Sequence, residues 1–235
     1  MTSPHLRCHL LLYDAPARPD YGRVAGIRQL WIAALLVLTD AQLHWLPVAT
    51  PWVLPYLLFR LALVVSLTRF LTRIAGSDIG LRRLGQWTAV EKSFLVQMVI
   101  LVNLGFPWAL SAALNRPLPD VYAAVLSAGW PVYFIHGFTQ ELVYRGVLQT
   151  ELTRRWGAFA GILGATALYT FGPLHADYYA WDAAAALPMF AAVLAMGVLF
   201  ALHFHRSGNL WIVGIMHGMG QAYIALTLTG GTAAP

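Results

Sequence analysis

The chain has 235 residues, 59% of them hydrophobic and 11% charged, where a soluble domain carries about 25% charged residues. A globular core of this size cannot bury so much apolar surface, which excludes a soluble enzyme and predicts a multi-span integral membrane protein. The net charge of +5 comes from arginines placed singly or in pairs beside apolar stretches, as at Arg69 and Arg73, Arg82 and Arg83, Arg154 and Arg155, a pattern of loops retained on the cytoplasmic side and not of a nucleic-acid surface.

Residues 1–28 are mixed in character and are expected to form a cytoplasmic tail with Arg7, Arg18, Arg23 and Arg28. The single cysteine, Cys8, excludes an internal disulfide and a cysteine zinc cluster. The apolar run at 9–13 is too short for a cleavable signal peptide, so an uncleaved anchor is expected. A first span is predicted at 30–46, with Trp31 and Trp45 at the interfaces. Within it Asp40 and His44 share a helix face and read as a polar pair satisfied between helices or near a headgroup. A turn at Pro47 and Pro51 leads to a second span, 53–71, containing Arg60, which either snorkels or pairs inside the bundle. Residues 73–92 form a basic connector whose Leu81-Arg82-Arg83-Leu84 segment is expected to lie as an amphipathic helix on the membrane surface.

A third span is predicted at 94–114 and a turn at 115–120. Residues 121–137 are apolar, interrupted by Pro131, and run into a polar motif. Further spans are expected at 158–174, 187–204 and 210–228, with a polar, aromatic loop at 177–182 and the turn His205-Arg206-Ser207-Gly208-Asn209 before the last. The expected fold is all-α, a polytopic membrane helical bundle of about seven to eight transmembrane helices, with 29–235 as a single transmembrane domain. Placing the Arg-rich loops inside puts the N-terminus in the cytoplasm and the C-terminus outside, as for a multi-pass protein of a prokaryotic inner membrane. No internal repeat is visible, which weighs against a transporter built from inverted halves.

Three short motifs carry polar chemistry at helical spacing. Gln140-Glu141-Leu142-Val143-Tyr144-Arg145 sets an acid and a base one turn apart, able to pair and offset part of a burial cost of roughly 2.5–3.5 kcal/mol per charge. His136 lies one turn before Gln140 on the same face. Phe171-Gly172-Pro173-Leu174-His175 ends a span, and its Gly-Pro pair bends the chain so as to aim His175 into a cavity. His217-Gly218-Met219-Gly220-Gln221 places His217 and Gln221 on one face, on a helix thinned by glycines for close approach. Taken singly, each also reads as an interhelical polar contact.

In combination and in order, the motifs resemble the CAAX-protease and bacteriocin-processing (CPBP, or Abi) family of intramembrane endopeptidases. The family pattern is Glu-Glu-x-x-x-Arg, Phe-x-x-x-His and His-x-x-x-Asn or Asp. The resemblance covers residues 130–228 and extends to Tyr144-Arg145-Gly146-Val147-Leu148 and to the Ser-Gly-Asn-Leu-Trp turn at 207–211. It implies hydrolysis of a membrane-anchored or C-terminally tagged protein by water that a glutamate and His175 activate, with His217 and Gln221 as oxyanion donors. The implied partners are a membrane or lipidated protein substrate and membrane lipids, with no nucleic acid. No cofactor is expected: a zinc ion would have only Glu141, His175 and His217 as its first shell.

The chain departs from the family pattern at two positions. Gln221 stands where the family has Asn or Asp, one methylene longer and still a donor. Gln140 stands where the first glutamate belongs, and a neutral amide cannot take a proton from water. Three readings follow: an engineered isosteric replacement that abolishes activity, a natural pseudoprotease or membrane scaffold that binds without cutting, or a shifted site with Glu141 as base. A proton-coupled transporter is the remaining alternative.

Overall fold

The computed structural model describes residues 27–44, 46, 50–72, 76–114, 116–127 and 130–228. Residues 1–26 of the expected tail, with Cys8, and Trp45, Pro47, Arg73 and Asn115 lie outside them, whereas Arg28, assigned to that tail, opens the first helix. The described residues form α1 (Arg28–His44), α2 (Val53–Leu67), α3 (Ala89–Leu114), α4 (Leu118–Ser127), α5 (Trp130–Glu141), α6 (Thr150–Phe171), α7 (Ala183–Ser207) and α8 (Leu210–Leu228). Among them no strand occurs, and the protein is an all-α bundle of apolar helices, an integral membrane protein. Three helices are individually long and apolar enough to cross a membrane: Val53–Leu71, Ala89–Ala109 and Met189–Ser207. A fourth candidate is the bent path Val132–Phe171 followed by Pro173–Ala180, which turns by 48°. α4 and α5, of 10 and 12 residues, are by themselves shorter than the ~20 of a single straight span.

The helices are apolar on both sides, and burial picks the inner stripe. In α1 the inner residues are Ile32, Ala33, Leu36, Val37, Asp40 and Ala41, at the spacing of one helix face. Trp31, Leu35 and Leu38 on the other faces stand exposed, where lipid would cover them. In α2 the inner stripe is Leu57, Arg60 and Val64, so Arg60 does not snorkel; it points inward.

The connector corrects one expectation. Residues 81–83 are not helical; two short 3₁₀ turns, Gly76–Ile79 and Leu84–Gln86, flank them. The segment has better partners in the protein than on a membrane surface. The Leu210 amide donates to the Gly80 carbonyl at 3.0 Å, and Arg82 pairs with Glu91 at 3.1 Å. Glu91 also closes the start of α3: its amide donates to Thr88 Oγ1 at 3.1 Å while the Thr88 amide donates to Glu91 Oε2 at 2.7 Å, a reciprocal capping box. That cap starts α3 at Ala89, five residues earlier than the apolar run alone suggests.

The polar motif occupies the joint between α5 and α6. There the backbone widens into a π-helical segment, Leu142–Gln149, all eight residues of which are buried. Helical bonding resumes into α6, which breaks at Gly157 (φ 83°), where the basic turn at 154–157 was expected. α8 packs against α5 along glycines. A Cβ on Gly218 would lie 2.6 Å from Phe134 Cα, and one on Gly137 would lie 2.8 Å from the Gly218 amide nitrogen. Only hydrogen fits at both positions, so these two helices touch backbone to backbone. The Ser-Gly-Asn turn sets where α8 begins: the Trp211 amide donates to Asn209 Oδ1, while Asn209 Nδ2 reaches Glu91 Oε1.

Candidate active site

The three motifs meet around the ring of Tyr169. Glu141 ends α5 and Arg145 follows one turn later in the π-helical segment, both without solvent exposure. Their charged groups lie 3.4 Å apart, Arg145 Nε to Glu141 Oε2. Arg145 also donates to the Gly197 carbonyl of α7 at 3.1 Å, and its guanidinium sits 4.6 Å over the Tyr169 ring. A buried cation is tolerable here because carboxylate, carbonyl and aromatic face share it.

The other oxygen of Glu141, Oε1, lies 2.8 Å from His217 Nδ1. A carboxylate only accepts, so Nδ1 of His217 carries the proton. The far nitrogen of that ring, Nε2, is 3.3 Å from the Tyr169 hydroxyl, which donates to it when the ring is neutral. Phe200 stacks on the same imidazole at 5.1 Å between centroids. His217 is therefore held on both edges and one face. Glu141 is hydrogen-bonded at Oε1, while Oε2 faces Arg145 as an ion pair without a hydrogen bond among the described residues.

His175 reaches the same tyrosine from the other side. Gly172 and Pro173 end α6, and the backbone at His175 leaves helical geometry (φ −113°, ψ 34°). The ring lies edge-on to Tyr169 at 5.0 Å. Its Nδ1 donates to the Tyr169 carbonyl at 2.8 Å, because a carbonyl can only accept. In the neutral ring this leaves, on a half-buried side chain, an Nε2 lone pair without a hydrogen-bond partner among the described residues.

Gln140 lies one residue before Glu141 on the α5 turn that His136 begins. Its side-chain nitrogen is 2.9 Å from His136 Nε2. Gln221 follows His217 by one turn of α8 and is half-buried, with its Oε1 lacking a hydrogen-bond partner among the described residues. Glu141, His175 and His217 do not converge as a metal-binding group, and among the described residues no three His, Cys, Asp or Glu side chains do.

Two parts of this centre escaped the sequence reading. The first is Tyr169 with Phe200 and the Gly197 carbonyl, which have no motif spacing to mark them. The second reaches in from α1 and α2. Asp40 Oδ1 accepts from Arg60 Nε at 2.8 Å and from Nη2 at 2.6 Å, with side-chain exposures of 0% and 1%. Arg60 Nη1 then stands 3.1 Å from His136 Nδ1. Asp40 is thus satisfied between helices, with Arg60 as its partner, while His44 packs its ring on His136 at 5.1 Å. The signal was present: opposite charges in two neighbouring apolar spans are too costly to stand apart in a bilayer.

Residues 121–223 match the family model described as Rce1-like: type II CAAX prenyl endopeptidase Rce1-like. This is the CAAX-protease family that the motifs resemble, and the matched segment holds Gln140, Glu141, Arg145, His175, His217 and Gln221. Asp40 and Arg60 fall outside it. No curated protein and no solved structure matches the chain.

Proposed function

We propose that this Rce1-like chain is an intramembrane endopeptidase scaffold for a membrane-anchored protein substrate, with residue 140, His175, His217 and Gln221 lining the reaction cavity. One observation supports it above the rest: Arg145 of the π-helical segment, His175 after α6 and His217 of α8 gather on Tyr169, each with its tautomer or charge set by a neighbour. Such preorganisation is what a hydrolytic site requires and what a simple helix contact does not.

The roles follow from the donors and acceptors. His175 presents the Nε2 lone pair and holds the attacking water. Gln221 and His217 face the carbonyl oxygen as charge develops on it. With its proton on Nδ1, a neutral His217 offers only a lone pair at Nε2, so the proton it brings to an oxyanion is that of the Tyr169 hydroxyl, whose long 3.3 Å bond to Nε2 is weak enough to be exchanged. Glu141 orients His217 through Oε1 and neutralises Arg145 through Oε2; as a base it would lose the charge that balances the buried guanidinium. In the full reaction a carboxylate at 140 takes a proton as water oxygen bonds to the carbonyl carbon. It returns that proton to the nitrogen when the C–N bond breaks.

Gln140 cannot perform that transfer. The native chain therefore binds substrate and cleaves it slowly, with His175 the remaining acceptor. Converting Gln140→Glu and following cleavage of a lipidated, membrane-anchored peptide in proteoliposomes tests this. The rate should rise by on the order of a hundredfold or more, the usual contribution of a general base. Equal cleavage by both forms would remove residue 140 from the base role, and absence of cleavage in both would leave a binding scaffold.

A further inference from the structure

Four side chains run in series from α1 to residue 140. Buried Asp40 accepts both Nε and Nη2 of buried Arg60. Arg60 Nη1 lies 3.1 Å from Nδ1 of half-buried His136, and His136 Nε2 lies 2.9 Å from the Gln140 side-chain nitrogen. A guanidinium has only donors, so His136 Nδ1 must offer its lone pair. The ring is then neutral with its proton on Nε2, since a doubly protonated imidazole would point N–H against N–H.

An Nε2–H needs an acceptor, and an amide nitrogen is not one. The two ends of a glutamine amide exchange by a half-turn of the terminal bond, and their assignment follows from the hydrogen bonds around them. Only the orientation with Oε1 toward His136 completes the series. We infer that Arg60, held by Asp40, is a positioning residue: it keeps the proton of His136 on Nε2 and so makes residue 140 an acceptor toward His136. Gln140 in turn directs its –NH₂ group away from His136.

The consequence for binding rests on the functional reading above; the proton placement does not. At position 140 the native site offers an N–H donor, where a glutamate would offer a second oxygen lone pair. The ligand group that suits it is an acceptor, such as the carbonyl of a peptide bond, and not a water to be deprotonated. A glutamate at 140 would keep one oxygen on His136 Nε2–H and leave the other for water. Two residues outside the family-matched segment thus decide which way the side chain at the base position faces.

Solid-state NMR of the ring nitrogens in histidine-labelled, full-length protein in bilayers tests the proton placement, with the His136 signals identified by their loss in His136→Asn. The native chain should show neutral His136 protonated at Nε2. The double variant Asp40→Leu with Arg60→Met removes the donor without leaving a buried charge alone, and should move the proton to Nδ1 or to a mixture. A native His136 protonated at Nδ1 overturns the inference, and so does a double variant whose His136 is unchanged. In the Gln140→Glu background, the double variant should lower kcat by on the order of tenfold to a hundredfold with KM little altered, as for a misaimed catalytic group; an unchanged kcat ends the positioning role. If Gln140→Glu does not cleave, the functional reading falls, while the NMR result still decides this one.

Discussion

Two buried ion pairs flank residue 140, and they are built differently. Glu141 and Arg145 sit one turn apart on a single helical path, inside the family-matched segment. Asp40 and Arg60 come from separate helices and lie outside it. The first pair has reserves: Arg145 also leans on the Gly197 carbonyl and the Tyr169 ring, and Glu141 also holds His217. In the second, Arg60 also reaches His136, but Asp40 takes both of its bonds from Arg60 at Oδ1; its Oδ2, like Oε2 of Glu141, has no hydrogen-bond partner among the described residues. A buried carboxylate with a second partner tolerates the loss of one; a buried carboxylate with a single partner residue does not.

Removing half of each pair tests that difference. Arg60→Met strands Asp40 and should destabilise the protein by about 3–5 kcal/mol, with most of the loss recovered when Asp40→Leu is added. Denaturant titration in detergent measures both. Glu141→Gln leaves Arg145 with its carbonyl and ring and should cost less, about 2–3 kcal/mol, the worth of hydrogen bonds to a charged group. If Glu141→Gln proves the more damaging, the contrast between shared and exclusive pairs is wrong.

A smaller effect separates the pairs from the packing that brings them together. Gly218→Ala would drive a Cβ to 2.6 Å from Phe134 Cα, which is backbone and cannot swing aside. The expected loss is about 1–3 kcal/mol of overpacking strain, read in the same titration. Cleavage by Gln140→Glu should fall with it, because α8 carries His217. The smallest effect belongs to Tyr169→Phe, which removes one long hydrogen bond to His217 and keeps the ring under Arg145. About 0.5–1.5 kcal/mol is the usual scale of such a bond. A loss as large as that of Glu141→Gln would mean that the hydroxyl, and not the carboxylate, holds His217.

Some of the centre was legible because helical spacing is local. Residues one turn apart share a face wherever the helix lies, so His136 with Gln140 and Glu141 with Arg145 could be read from their numbers alone. The bend at Gly172-Pro173 was equally local. The Ser-Gly-Asn turn carried its own capping chemistry, with Asn209 seated at the start of α8. The connector at 81–84 misled for the opposite reason: its local pattern suited a surface helix, but Gly80, Arg82 and Glu91 found partners across the fold. Spans were harder to count than helices. An apolar run shows that a segment avoids water, and says nothing of how it joins the next one.

The sequence by itself determined that the chain is apolar, helical and membrane-bound, and that one helix carries a carboxylate and a guanidinium which must pair. It also showed an amide where the family pattern places a base. Those conclusions rest on composition and on a period of 3.6 residues, which act within one segment. Only the tertiary structure decided who faces whom: Tyr169 between His175 and His217, Phe200 on the histidine, and Arg60 reaching from α2 to His136. Such contacts join residues far apart in sequence, and their choice depends on how closely backbones approach. The α5–α8 crossing at Gly137 and Gly218 brings His217 to Glu141. With Arg60 against His136, the meaning of Gln140 ceases to be a matter of one residue and becomes a matter of where a proton sits.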